Sequence, residues 1–263
     1  MEMRELALRV VTSTRLEDKI TPAPDGPEAL TDREPGEPLR VMTPGRPPNL
    51  AIVPGREVKV PSIDGMADRP QRARIVHAFA NHELQAAELF AWALLAFPNA
   101  PPDFRRGLAG ILDDEQRHTR MYIARSEALG LPFGEVPVSG YFWGKVEHID
   151  SPAAFVCAMS LTFENANLDH TIDYAAAARD AGDAKLASVI DRIHDDEVEH
   201  VRFGWTWLGR FKPEHQSMWE AFRANLTWPL RPLKAKGTHF YPEGRVAAGL
   251  DPEFIRLLEA EEG

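Results

Sequence analysis

From Arg72 onward the apolar residues repeat with a helical period. Val76, Phe79, Ala80, Glu83, Ala87, Phe90 and Leu94 fall at three- and four-residue steps along one stripe. Pro98 and the Pro101–Pro102 pair break the chain, and a second stripe follows through Leu108, Ile111, Glu115, His118 and Tyr122, ending near Leu129–Gly130 with a glycine stop. Residues 131–150 carry Pro132, Gly134, Pro137, Gly140 and Gly144 and read as an irregular connection. Ser151–Pro152 opens a third helix that runs to about Gly182. Asp183 caps a fourth, with Leu186, Ile190, Ile193, Glu197, His200 and Gly204 on one face. A fifth helix is expected over Pro213–Trp228 and a short last one from Asp251–Pro252.

Residues 72–210 thus form two helical hairpins joined by one connection of about 20 residues, which reaches ~65 Å when extended. A 28-residue helix is only ~42 Å long, so the connection has the length for a full crossover, the variant of the four-helix bundle seen in ferritin-like folds. The expected class is all-α: a ferritin-like four-helix bundle with one long crossover over 71–211, a proline-rich arm over 1–70 and a C-terminal helical extension over 212–263.

Proline sets the arm apart. Eleven of the 22 prolines lie in the first 70 residues, where each removes an amide donor and disfavours helix just before it. A short helix near Glu2–Thr12 and an extended piece over Arg56–Val60 are the only regular elements expected there. Apolar LRVM (39–42) and LAIV (50–53) favour an arm that wraps the bundle.

Charge and composition narrow the function. A formal charge of −10 argues against general nucleic-acid or anionic-membrane binding. The single cysteine, Cys157, excludes a disulfide framework and a cysteine-rich metal site within one chain. No apolar run is long enough for a membrane span, and MEMRELALRV has no signal-peptide core, so the cytoplasm is the expected compartment.

The helical stripes are interrupted by acids and histidines where apolar residues belong. Asp114-Glu115-Gln116-Arg117-His118 and Asp196-Glu197-Val198-Glu199-His200 both contain Glu-x-x-His, whose spacing sets carboxylate and imidazole side by side on a helix. Glu164 interrupts the third stripe, and the first helix offers Glu83 or Glu88. Counting from the turns puts Glu83 level with Glu115, and Glu164 nearly level with Glu197. Glu88 lies ~7 Å lower and is rotated by about 140°, so Glu83 is preferred. Two such pairs plus one glutamate from each of two other helices make the ligand set of a dinuclear carboxylate site. Four buried carboxylates call for cations, and one histidine per metal suits iron, manganese or a mixed pair. Glu115 and Glu197 are the natural bridging ligands. Asp114 and Asp196 are candidates to receive the second N–H of a metal-bound histidine. Asn165, Asn167 and Asp169 either hydrogen-bond near the site or decorate a helix surface. His82 and His194 read as boundary residues and Cys157 as a small core residue.

The pattern Glu83, Asp114-Glu115-x-x-His118, Glu164, Asp196-Glu197-x-x-His200 resembles the ferritin-like di-iron carboxylate superfamily, which includes bacterial multicomponent monooxygenases and ribonucleotide reductase small subunits. More specifically, ELQAAEL (83–89), DEQRH (114–118), FENANLD (163–169) and DEVEHVRFG (196–204) are similar to the ferritin-like family DUF455. The order of these motifs also resembles the tRNA hydroxylase that modifies a hypermodified adenosine. In both, the first-helix ligand is the glutamate followed by x-x-Ala-Ala, here Glu83. The likeness covers roughly residues 75–210, and Glu199 stands where arginine is common in the fourth-helix motif.

The resemblance implies two bound irons, O2 and a small organic substrate as reactants, and an oxidase or monooxygenase reaction drawing on an electron donor. It also implies a redox tyrosine as one reading of Tyr122, which stands one turn past His118 and otherwise reads as core. Non-enzymatic iron binding with ferroxidase chemistry and tRNA hydroxylation are the alternatives. The charge counts against the latter. A homodimer is compatible with the sequence.

Overall fold

The computed structural model describes residues 1–262 and divides the chain into two compact units, Met1–Val146 and Glu147–Gly263. Both are mostly helical and each contains a long antiparallel helix pair. Among the described residues no helix is long and apolar enough to cross a membrane.

In the first unit, α1 (Met3–Thr12) and α2 (Leu16–Ile20) precede a two-residue strand, β1 (Ile52–Val53). Next come α3 (Arg69–Ala96) and α4 (Pro102–Leu129), and then β2 (Val138–Ser139), which pairs in parallel with β1. Asp68 starts α3 by accepting from the Gln71 amide, with Pro70 in the first turn. Gly130, at φ 100°, ends α4 as expected: its amide bonds Glu127 O while Leu131 N reaches back to Ser126 O. From Arg72 to Ala96, α3 is buried on nearly all sides, and its alanines allow close neighbours all round.

One of those neighbours is the arm, which packs as part of this unit. Met3, Leu6, Ala7, Val10 and Val11 of α1 are buried, and α1 lies against α3. Leu39 N bonds Leu95 O, and Gly45 N bonds Val11 O. The arm holds more structure than proline alone suggests, because its donors find partners far away in sequence. The expected extended piece at 56–60 begins instead as a 3-10 turn over Gly55–Glu57.

In the second unit, α5 (Pro152–Ala158) is capped by Ser151 and runs into a π-helical segment, Met159–Glu164, and then α6 (Asn165–Asp180). The single third helix expected from the pattern is therefore interrupted. Thr162 Oγ1 bonds the Cys157 carbonyl at 2.7 Å, five residues back, which stabilises the wider turn. Asp183 caps α7 (Ala184–Phe211) as expected. Gly204 lets α7 approach the π segment, since a Cβ there would lie 2.3 Å from Ser160 Cβ.

Beyond α7 the expected fifth helix is shorter, α8 (Met218–Ala224), held by a Ser217/Glu220 capping box. It is followed by α9 (Pro242–Ala247) and α10 (Pro252–Glu259). A buried Asp169–Arg245 ion pair at 2.7 Å ties α9 to α6.

Candidate metal-binding groups

Each unit builds one buried group of two carboxylates and one imidazole. In the first, Glu83 comes from α3, and Glu115 and His118 come from α4. Their exposures are 6%, 1% and 0%. His118 Nδ1 stands 3.6 Å from Glu83 Oε2 and 3.6 Å from Glu115 Oε2. In the second, Glu164 is the last residue of the π segment, and Glu197 and His200 lie on α7. His200 Nδ1 is 3.6 Å from Glu197 Oε2 and 3.9 Å from Glu164 Oε1. In both units the same ring nitrogen faces the glutamate three residues earlier.

Within each group one donor atom per residue lies within 4.8 Å of the others. The nitrogen–oxygen separations exceed hydrogen-bond length. Two donors that share one cation at ~2.1 Å each stand roughly 3.0–3.5 Å apart, close to what these groups present. Charge agrees with distance. Burial, followed by the adjacent Glu115 carboxylate, pushes the Glu83 carboxyl well above the usual carboxylate range. No lysine or arginine pairs with Glu83 among the described residues. Glu197 accepts from Asn167 Nδ2 at 3.0 Å through Oε1, while its buried Oε2 makes no hydrogen bond. Carboxylate oxygens and imidazole nitrogen with no thiolate form a donor set that could hold a divalent metal ion.

Other sequence candidates sit elsewhere. Glu88 belongs to a separate cluster: Lys19 Nζ lies 3.1 Å from it, Arg46 donates to both its oxygens at 3.0 and 2.7 Å, and Trp143 Nε1 donates at 2.7 Å. Asp114 pairs with Arg117, and Asp196 lies 3.4 Å from Arg192. Tyr122 is buried, its ring 5.4 Å from that of Phe79. His82 packs on Phe142 at 5.4 Å, and His194 Nδ1 meets Thr171 Oγ1 at 2.7 Å. Of the three polar residues after Glu164, Asn167 reaches Glu197, Asp169 serves Arg245, and Asn165 bonds the Leu161 carbonyl. Cys157 is fully buried, and burial pushes its thiol up. Sequence reasoning missed Lys19 and Arg46 as partners of Glu88, and the π segment that ends at Glu164. No local spacing signals the first, and a lone extra residue in a helix carries almost no sequence signature for the second.

A family model described as a protein of unknown function, DUF455, matches residues 6–256, and the chain belongs to that family. The match takes in the arm and most of the C-terminal extension as well as the helices that carry the two groups. No curated protein and no solved structure matches the chain.

Proposed function

We propose that this protein is a metal-dependent oxidoreductase, with two irons held by Glu83, Glu115, His118, Glu164, Glu197 and His200, that uses O2 to oxidise or hydroxylate a small organic substrate. The observation that carries the reading is the pair of buried Glu/Glu/His groups of the same composition, each built on a Glu-x-x-His helix. On this reading the fold is ferritin-like, and each group holds one of the two metals. Manganese, alone or mixed with iron, is the alternative metal content.

Bound iron would supply O2 activation. The chain's own residues do the rest. Four carboxylates match the charge of two divalent cations, and neutral imidazoles complete the set without adding charge. Asp114 and Asp196 are assigned to receive the second N–H of the histidines, fixing tautomer and ring orientation. Leu84, Ile111 and Leu112 in the first unit, and Leu161, Leu168 and Ile193 in the second, are buried on the helices that carry the carboxylates, and on this reading they would exclude water. The reductant and the substrate are separate partners.

Elemental analysis of the full chain, purified after growth with iron and manganese, is the test. The expected result is two iron or manganese ions per chain and O2 uptake after reduction. Absence of bound metal overturns the reading entirely. Two irons without O2 uptake favour iron binding without catalysis.

A further inference from the structure

On another side of α3 from Glu83, the first unit contains a cavity of about 110 Å3. Three segments line it: residues 57–60 of the arm, the α3 stretch that includes Arg74, His77, Asn81 and His82, and residues 136–139 of the connection. Val58, Val60 and Val136 give it an apolar wall, and Lys59, Arg74 and His77 give it a polar one.

The polar wall is a set of donors without protein acceptors among the described residues. His77 is 1% exposed, and its Nε2 accepts the Gly134 amide at 2.9 Å. That bond places the ring proton on Nδ1, and Nδ1–H meets no acceptor among the described residues. Burial, with Arg74 adding to it, lowers the His77 pKa to about 4, so at neutral pH the ring is an uncharged donor. Neither Lys59 nor Arg74 forms an ion pair among the described residues. Glu57 is the only acidic residue in the lining. In a chain with a net charge of −10, two cationic residues that form no ion pair among the described residues line one small cavity together with His77.

We propose that this cavity binds a small organic carboxylate, its carboxylate received by Arg74, Lys59 and the His77 Nδ1–H and its short aliphatic chain lying against Val58, Val60 and Val136. An arginine with flanking donors suits a planar carboxylate. The volume is below the ~150 Å3 that holds a benzene ring, which limits the ligand to a few carbons. A phosphate dianion would leave oxygens facing the valine wall. The site involves none of the six metal-ligand candidates, so it stands apart from the metal reading.

Butyrate is the probe. Full-length protein at pH 7 and low ionic strength is titrated by calorimetry, with the His77 imidazole N–H followed by 15N NMR and metal content measured on the same samples. We expect one saturable site, a shift of the His77 Nδ1–H signal, no binding of 1-butanol, and at least tenfold weaker binding in Arg74→Gln. Arg74 is exposed, so this variant tests binding without disturbing the core. Non-saturating titration, binding in Arg74→Gln equal to wild type, or tighter binding of inorganic phosphate than of butyrate overturns the proposal. A failure here with metal bound leaves the oxidoreductase reading standing. Butyrate binding by metal-free protein leaves this one standing.

Discussion

Glu83 and Glu88 lie five residues apart on one helix, are both buried, and live in opposite electrostatic worlds. Glu88 is fully enclosed with Lys19, Arg46 and the Trp143 indole, so the protein supplies its counter-charge. Glu83 faces another carboxylate and an imidazole, and its proton is held more tightly as a result. An ionised carboxylate buried without cations is costly. Among the described residues the chain supplies two cations to Glu88 and none to Glu83, a structural tie at the first and, on the proposed reading, a metal ligand at the second. The tie also explains what the arm does. Lys19 and Arg46 both come from the first 70 residues, so Glu88 anchors the arm to α3.

The comparison can be broken most directly at Glu88. Glu88→Gln strands Lys19 and Arg46 and is expected to cost about 3–5 kcal/mol, read by denaturant unfolding, with metal content per folded chain unchanged. An unfolding midpoint like wild type would dismiss Glu88 as an anchor. Glu83→Gln should act in the opposite sense. It removes a carboxylate whose ionisation burial opposes, so the metal-free variant unfolds at higher denaturant at pH 7 than metal-free wild type. Its metal affinity should fall by more than the ~10–100-fold typical of losing an outer partner. Retained affinity would move the ligand away from Glu83.

Asp114→Asn and Asp196→Asn sharpen the picture. If these residues orient the histidines, each weakens metal binding by ~10–100-fold, measured by chelator competition, without loss of stability. The smallest effect belongs to His77. Its folded pKa is about 4 against an ordinary 6.5, so the neutral ring's contribution is complete above pH 6.5 and is lost as the pH falls from 6.5 to 4. With allowance for solvent in the cavity, wild type should lose roughly 1–2 kcal/mol more than His77→Gln across that window. Parallel pH profiles would show that the ring is not held neutral.

Much of this was legible in order along the chain. Pro102, Gly130 and Asp183 mark helix ends through local backbone chemistry, and the structure puts ends there. Glu-x-x-His announces itself because a 3.6-residue period puts the two side chains together wherever the helix lies. Counting from the turns preferred Glu83 over Glu88, and the structure gathers Glu83 with Glu115 and His118. The C-terminal extension was less legible. Its short helices depend on contacts such as Asp169–Arg245, across 76 residues, which no local pattern encodes. The third helix differs from its pattern in the same way: its π segment packs closely against α7, with Gly204 beside Ser160, and such packing has no local signature.

Sequence alone therefore determined the long helices, the ends marked by Gly130 and Asp183, and the residue types that interrupt their apolar faces, because these follow from spacing and backbone chemistry within a few residues. Only tertiary structure decided which buried carboxylates the protein's own cations neutralise and which face other carboxylates and imidazoles. Lys19 and Arg46 reach Glu88 from 69 and 42 positions away, and charge compensation depends on distance in space, not along the chain.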